Sequence, residues 1–178
     1  MPDLAVVPVG VVPSELLARI AGFLETSCGN PCYTAGDAVD PESAYDAVRG
    51  QFDCRRLFPL LETIARDRGC MVLGVADVDL YSAVFTFVFG EAHLGGRTGI
   101  FSLHRLSPAV YGLPPDPELL EARARREALH ETGHLLGLVH CREPECVMRF
   151  SGSAEEVDLK TDRFCPDCRD RIGVTAPG

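Results

Sequence analysis

The sequence predicts a single α/β (α+β) domain in which helices pack against one twisted sheet. Its 178 residues are a usual length for one compact domain. The hydrophobic fraction of 46% is enough to build a core. The apolar patterns along the chain give the element order β-α-β-α-β-β-β-α, which is typical of a sheet covered by helices.

The first strand–helix unit is marked by a change in the period of the apolar residues. Residues 3–10 form an apolar run that predicts a buried strand. Residues 14–28 carry apolar side chains at helical spacing, which predicts an amphipathic helix that ends at Gly29. A short strand is then expected at 32–35.

The second unit follows a turn-rich stretch, 36–54, whose pattern predicts no particular element. Apolar periodicity then predicts a helix within 55–69. We expect this helix to begin near Pro59, because proline disrupts the interior of a helix. The nearly continuous apolar run 70–78 is typical of a buried central strand.

The third part of the chain contains two more strands and the longest helix. Residues 83–90 and 97–104 read as strands joined by a glycine-containing loop. Asp116, followed by proline and glutamate, is a strong helix start, and the helix is expected to run to about Leu136. Beyond it we expect only a short C-terminal helix and a loose end at 174–178.

The strongest functional signal lies near the end of that helix, where 130–140 read H-E-x-x-H-x-x-G-x-x-H. His130 and His134 are one helical turn apart, so both imidazoles lie on one face and can bind a single ion. A continued helix would carry His140 about 9 Å along the axis, away from that ion. Gly137 can end the helix in the left-handed conformation and turn His140 back. Ordinary helix histidines are the alternative, which the complete motif on a well-marked helix disfavours.

This motif predicts zinc-dependent hydrolysis of peptide bonds. Three neutral histidines leave a fourth zinc position open for water, which is the pattern of a catalytic site. Zinc lowers the pKa of that water to roughly 7. Glu131 lies about 100° around the helix from His130. From there its carboxylate can accept the proton of the water as general base without displacing a ligand.

Four cysteines after the histidines predict a second zinc ion. They form one C-x-x-C pair and one pair with a wider spacing: Cys165 with Cys168, and Cys141 with Cys146. Four thiolates make a closed tetrahedral zinc site of structural type. Disulfides, free thiols or a redox pair are the alternatives, and ligand-like spacing in an intracellular chain favours zinc. We expect the other four cysteines to be reduced thiols rather than to form a disulfide: Cys28, Cys32, Cys54 and Cys70.

In the stretch 130–168, the histidine motif continues into HCREPECVM at 140–148, and FCPDC follows at 164–168. This stretch closely resembles the archaemetzincins. FTFVFGEAHLGG and SLHRL upstream look like the same family. The histidine motif followed by a methionine turn is the metzincin signature, and Met148 fits that methionine. Metzincin likeness also suggests that 84–89 or 98–103 lies at the edge of the cleft, where an extended peptide could pair with it.

The resemblance implies a metzincin-like fold, with a mixed twisted sheet, packed helices and an active-site helix. It divides the single domain into an N-terminal subdomain, 1–137, and a small zinc-stapled C-terminal subdomain, 138–178. It also implies two zinc sites and one base: a catalytic zinc at His130, His134 and His140, the general base Glu131, and a structural zinc at Cys141, Cys146, Cys165 and Cys168.

Net charge and hydropathy argue against several other classes of function. A formal net charge of −9 argues against nucleic-acid binding and against docking on an anionic membrane. No apolar stretch approaches the ~18 residues of a membrane helix, and prolines interrupt the N-terminal run, unlike a signal peptide. We expect a cytoplasmic monomer that acts on a peptide or protein. The alternative is a zinc-stabilised binding or regulatory module with little or no peptidase activity, which the intact Glu131 disfavours.

Overall fold

The structure is a computed structural model that describes residues 2–174, so most of the C-terminal stretch 174–178, predicted to be loose, lies outside it. The strands are β1 Leu4–Val9, β2 Cys32–Thr34, β3 Tyr45–Asp46, β4 Gln51–Asp53, β5 Met71–Ala76, β6 Leu80–Tyr81, β7 Gly90–Ala92 and β8 Thr98–Ser102. The helices are α1 Ser14–Cys28, α2 Cys54–Arg68, α3 Pro117–Leu135, α4 Ala154–Asp158 and α5 Pro166–Ile172. Short 3₁₀ turns lie at Pro41–Ala44, His104–Leu106 and Pro108–Tyr111.

These elements confirm the predicted α/β class, and the short C-terminal helix is α5. The helix α4 between the active-site helix and α5 was not predicted. No helix within residues 2–174 combines the length and the apolar character needed to span a membrane.

The main sheet has five strands in the order β2-β1-β5-β8-β7. The first four are parallel, and β7 runs antiparallel to β8 at the edge. Side chains of β1 alternate between two cores, as the strand period requires. Leu4 and Val6 face the core that α1 and α3 complete, whereas Ala5 and Val7 face the core that α2 completes. Helices therefore cover both faces of the central strands, which explains their nearly continuous apolar sequences.

The helix α2 begins earlier than predicted. It starts at Cys54, and Pro59 lies inside it, so the expected start near the proline is wrong. The side chain of Asp53 caps the helix by accepting a hydrogen bond of 3.0 Å from the backbone N–H of Arg55. The cap fixes the helix start five residues before the proline. The helix therefore continues through Pro59, although a proline there removes one backbone hydrogen bond and crowds the preceding turn.

A second sheet, with the order β3-β4-β6, forms within and after the stretch that gave no prediction. The hydroxyl of Tyr81 donates a hydrogen bond of 2.9 Å to Asp46, which joins two of its strands. Tyr45 and Phe52 pack across it with ring centroids 5.1 Å apart. One twisted sheet was expected, so this small sheet is a correction to the predicted architecture.

The predicted strand 83–90 is wrong over most of its length. Of this stretch, only Gly90, the first residue of β7, pairs with β8. Residues 83–89 form an irregular segment without a partner strand. The carbonyl oxygens of Phe85 and Thr86 instead accept hydrogen bonds from the Arg49 side chain, at 3.2 and 3.0 Å. Of the two segments expected at the edge of the cleft, 98–103 contains β8, which lies inside the sheet, and 84–89 borders the cleft without forming a strand. The edge strand of the sheet is β7.

Candidate active site and metal sites

The helix α3 carries the histidine motif into the core of the molecule. Asp116 caps it by accepting a hydrogen bond of 2.9 Å from the backbone N–H of Leu119, and Pro117 is the first helical residue. The helix ends at Leu135, one residue from its predicted end. Its last turns are buried, with His130 6% and Glu131 3% exposed. A strong cap therefore sets the register that places the motif against the sheet.

The chain reverses direction directly after α3. Gly137 has a φ of 91°, the left-handed conformation that the predicted turn requires. The N–H of Gly137 donates to the carbonyl of His134, and that of Leu138 donates to the carbonyl of Gly133, both at 2.9 Å. This pair of bonds is a Schellman helix end. It returns the chain toward the helix, so that His140 approaches the two helix histidines.

The three histidines converge on one point. One ring nitrogen from each of His130, His134 and His140 lies within 4.8 Å of the other two. Nδ1 of His130 is 2.8 Å from the carbonyl oxygen of Val147, and Nδ1 of His134 is 2.7 Å from that of Leu138. A carbonyl can only accept, so each Nδ1 carries the proton and each Nε2 keeps a lone pair. Both backbone carbonyls thus orient the rings toward a shared ion.

The donor set fits a zinc ion. The Nε2 atoms of His130 and His134 are 3.1 Å apart, and two bare nitrogens at that distance repel unless a cation lies between them. Burial, assisted by the Lys160 ammonium, holds the pKa of His130 well below its ordinary value. Burial also lowers the pKa of His134 and of His140. A proton is therefore a poor cation for this place, whereas neutral imidazoles are ordinary zinc ligands.

The carboxylate of Glu131 lies at the same place without a partner. Its Oε2 is buried and has no hydrogen-bond partner within residues 2–174. Burial raises the pKa of Glu131 well above its ordinary value, and the nearby Glu127 carboxylate acts in the same direction. Gly90 of the edge strand gives the carboxylate its space, because a Cβ there would lie 2.5 Å from Oε1. Glu131 is thus enclosed between α3 and β7.

Met148 lies beneath the histidines and is fully buried. It packs against Gly133 of α3, where any Cβ would overlap the thioether sulfur. Its carbonyl accepts a hydrogen bond of 2.9 Å from the N–H of Cys141, next to His140. The methionine turn therefore joins the active-site helix to the segment that carries the third histidine.

The four C-terminal cysteines form a second cluster in which every Sγ lies within 4.8 Å of the others. The Sγ atoms of Cys141 and Cys165 are 3.8 Å apart, as are those of Cys146 and Cys168. A disulfide needs about 2.05 Å, so these pairs are not bonded. Four sulfurs bound tetrahedrally at about 2.3 Å would be about 3.8 Å apart, so the cluster fits a zinc ion. The N–H of Glu143 and of Cys165 donate to two of these sulfurs.

A pocket of about 530 Å³ opens beside the three histidines and is bounded by β7, the segment 85–89 and the chain after Met148. Two of its charged residues were not predicted from the sequence. Nζ of Lys160 is 3.0 Å from Oε1 of Glu127, and the two side chains are 1% and 5% exposed. Two signals could have identified them. Lys160 is the only lysine, and Glu127 lies one helical turn before Glu131 on the same face.

Three comparisons relate this chain to known proteins. The family model described as Peptidase family M54 matches residues 37–173. The archaemetzincin of Pyrococcus furiosus is 41% identical over 169 residues, which are 92% of this chain and 88% of that protein. The archaemetzincin of Methanocaldococcus jannaschii is 42% identical over 168 residues, 93% of this chain and 89% of that protein.

Solved structures show the same fold. A zinc-dependent peptidase from Methanocorpusculum labreanum matches with a TM-score of 0.86 and 29% identity, covering 95% of this chain and 99% of that one. The archaemetzincin of Methanopyrus kandleri matches with a TM-score of 0.80 and 36% identity, covering 97% of this chain and 93% of that one.

Proposed function

The chain belongs to peptidase family M54 and is a zinc metallopeptidase, and from this premise we propose how its own residues act. We propose that the catalytic zinc binds His130, His134 and His140, and that Glu131 is the general base. The substrate is a peptide or protein that enters the pocket beside these residues. We further propose that the cysteine cluster holds a second, structural zinc.

The orientation of the histidines supports their role as ligands. Both helix histidines donate through Nδ1 to backbone carbonyls, which leaves each Nε2 free to bind a metal. Zinc, when bound there, lowers the pKa of water and polarises a carbonyl oxygen. Because three ring nitrogens converge among residues 2–174, a four-coordinate zinc would keep a position for a substrate or a water molecule.

The environment of Glu131 supports its role as base. Its unpartnered Oε2 is free to accept a proton from water, while Gly90 and the helix backbone limit where the carboxylate can move. A carboxyl group that has accepted the proton of the water can then donate it to the leaving amine. The same side chain therefore serves as base and then as acid.

The single observation that carries this proposal is the convergence of three imidazoles, two of them oriented by backbone carbonyls, beside a buried carboxylate whose Oε2 has no hydrogen-bond partner within residues 2–174. The test is Glu131→Gln, which keeps the shape of the side chain but removes the base. We expect peptide cleavage to fall by about 10²–10⁴-fold, with unchanged zinc content. Mass spectrometry of peptide-library digests measures cleavage, and elemental analysis measures zinc.

The matched control is Glu118→Gln, an exposed carboxylate in the first turn of the same helix. It should cleave like the wild type. If the zinc-loaded Glu131→Gln protein cleaves normally, Glu131 is not the base. If the zinc-loaded wild type cleaves no peptide, the alternative of a binding or regulatory module is favoured instead.

A further inference from the structure

The pocket beside the histidines has an apolar mouth and a polar inner end. Four apolar side chains that line it are about half exposed and form the mouth: Phe85 50%, Leu94 58%, Val139 54% and Phe150 53%. Glu127 and Lys160 also line it but are each only 3% exposed, so they lie at the inner end. Ser151 lines the same pocket, and its Oγ is buried.

The inner end has unused hydrogen-bonding capacity. The Lys160 ammonium has three N–H donors. Within residues 2–174 it uses two acceptors, Oε1 of Glu127 at 3.0 Å and the carbonyl of Arg149 at 3.3 Å. The Oγ of Ser151 has no partner in this part of the chain. One ammonium N–H and one hydroxyl thus lack a protein acceptor within residues 2–174, and both belong to residues that line the pocket.

The Lys160–Glu127 ion pair is not the sole polar contact that holds α4 and the chain after it against α3. Arg123 of α3 already makes two hydrogen bonds to Asp158 of α4, at 2.9 and 2.6 Å. A buried ion pair adds little stability compared with apolar residues of the same volume. A second buried pair, placed at the end of a pocket, is better explained by recognition than by folding.

We infer that this inner end selects a substrate side chain with an apolar stem and a terminal carboxamide, as in glutamine. The inference rests on the proposed peptidase function and assigns the specificity of that site. The carboxamide oxygen accepts hydrogen bonds from Lys160 and Ser151, and its NH₂ group donates to the Glu127 carboxylate. The stem packs against the apolar mouth.

Side chains that carry a charge are disfavoured here. An incoming carboxylate or ammonium would compete for one member of the Lys160–Glu127 ion pair and leave the other charge unpaired in a buried place. A neutral carboxamide can bind beside the intact pair. A methionine side chain has nearly the shape of glutamine, but it leaves the donors of Lys160 and Ser151 unpaired in a buried place.

The experiment compares peptides that differ in one residue, glutamine, methionine, glutamate or lysine, at the position that library digests show to be most selective. We expect kcat/KM for glutamine to exceed that for methionine by about tenfold, the effect of one or two hydrogen bonds. Hydroxamate-capped peptides with glutamine or methionine give a second readout, binding by calorimetry, which does not depend on turnover.

Two variants and a control complete the test. Ser151→Ala should lower the glutamine-to-methionine ratio several-fold. The double variant Glu127→Gln, Lys160→Met removes both charges together and should bring the ratio close to one. The control, Arg123→Met with Asp158→Asn, removes the ion pairs between α3 and α4, so it should lower stability but keep the ratio.

Equal binding of the glutamine and methionine hydroxamates would overturn the inference, as would a ratio that survives both pocket variants or a preference for glutamate or lysine. Cleavage without glutamine preference refutes this inference alone. A zinc-loaded protein that cleaves nothing refutes the proposed function, while the hydroxamate comparison still decides the specificity.

Discussion

Replacing Gly90 by alanine tests whether the edge strand positions the catalytic carboxylate. The new Cβ would lie 2.5, 2.7 and 2.8 Å from Oε1, Cδ and Cγ of Glu131. Non-bonded contacts of this kind need about 3.5 Å, so the carboxylate must move by roughly 0.7–1 Å. A displacement of that size at a reacting group typically costs about a hundredfold in rate. Gly90 does not have a positive φ, so the backbone itself accepts alanine without strain.

We therefore expect kcat to fall about a hundredfold, while the zinc content and the fold are kept. Steady-state kinetics on one peptide, elemental analysis and thermal unfolding measure the three quantities. Gly36→Ala is the control for the substitution itself. A Cβ at Gly36 would meet no atom of the described residues within 4 Å, and Gly36 does not have a positive φ. Its kcat should stay close to that of the wild type. A Gly90→Ala protein with normal kcat would refute this account of Glu131.

Three further substitutions test the frame around the site. Gly137→Val should destabilise the helix end by about 1–3 kcal/mol, because a φ of 91° strains a β-branched residue. Since this turn positions His140, the variant should also bind the catalytic zinc more weakly, and undiminished zinc binding would contradict this prediction. Gly133→Ala should lower the free energy of unfolding, measured in urea, by about 1–3 kcal/mol, because its Cβ overlaps Met148; an unchanged free energy of unfolding would show that the methionine is free to move. Cys165→Ser should abolish zinc binding in the cysteine cluster and weaken it at His140; a normal zinc content by elemental analysis would refute the structural site.

The sequence was most informative where one local rule decides the structure. The cap at Asp116 and the spacing of the motif predict the whole of α3. Gly137 predicts the reversal that brings His140 back, because few other residues adopt its conformation. The cysteine spacing predicts a cluster whose sulfur distances agree with a tetrahedral site. In each case, neighbours in sequence fix the geometry.

The remaining features depend on contacts between distant residues. Residues 83–89 are nearly all apolar, as in a buried strand. The carbonyls of Phe85 and Thr86 are instead satisfied by the side chains of Arg49 and Gln51, more than thirty positions away. The Lys160–Glu127 pair is brought together by the packing of α3 against the chain that follows α4, so the sequence can single out each residue but not their contact. The lack of a side chain at Gly90 matters only because β7 packs against Glu131, a contact between distant residues that the sequence does not predict.

The most direct test of the whole account is the crystal structure of the zinc-loaded protein, with diffraction data collected on both sides of the zinc absorption edge. We predict two anomalous peaks per chain. One should lie among the Nε2 atoms of His130 and His134 and a ring nitrogen of His140, with Glu131 near it but not bound. The other should lie among the four cysteine sulfurs. A missing peak at the histidines, or a peak bound by Glu131, would contradict the account.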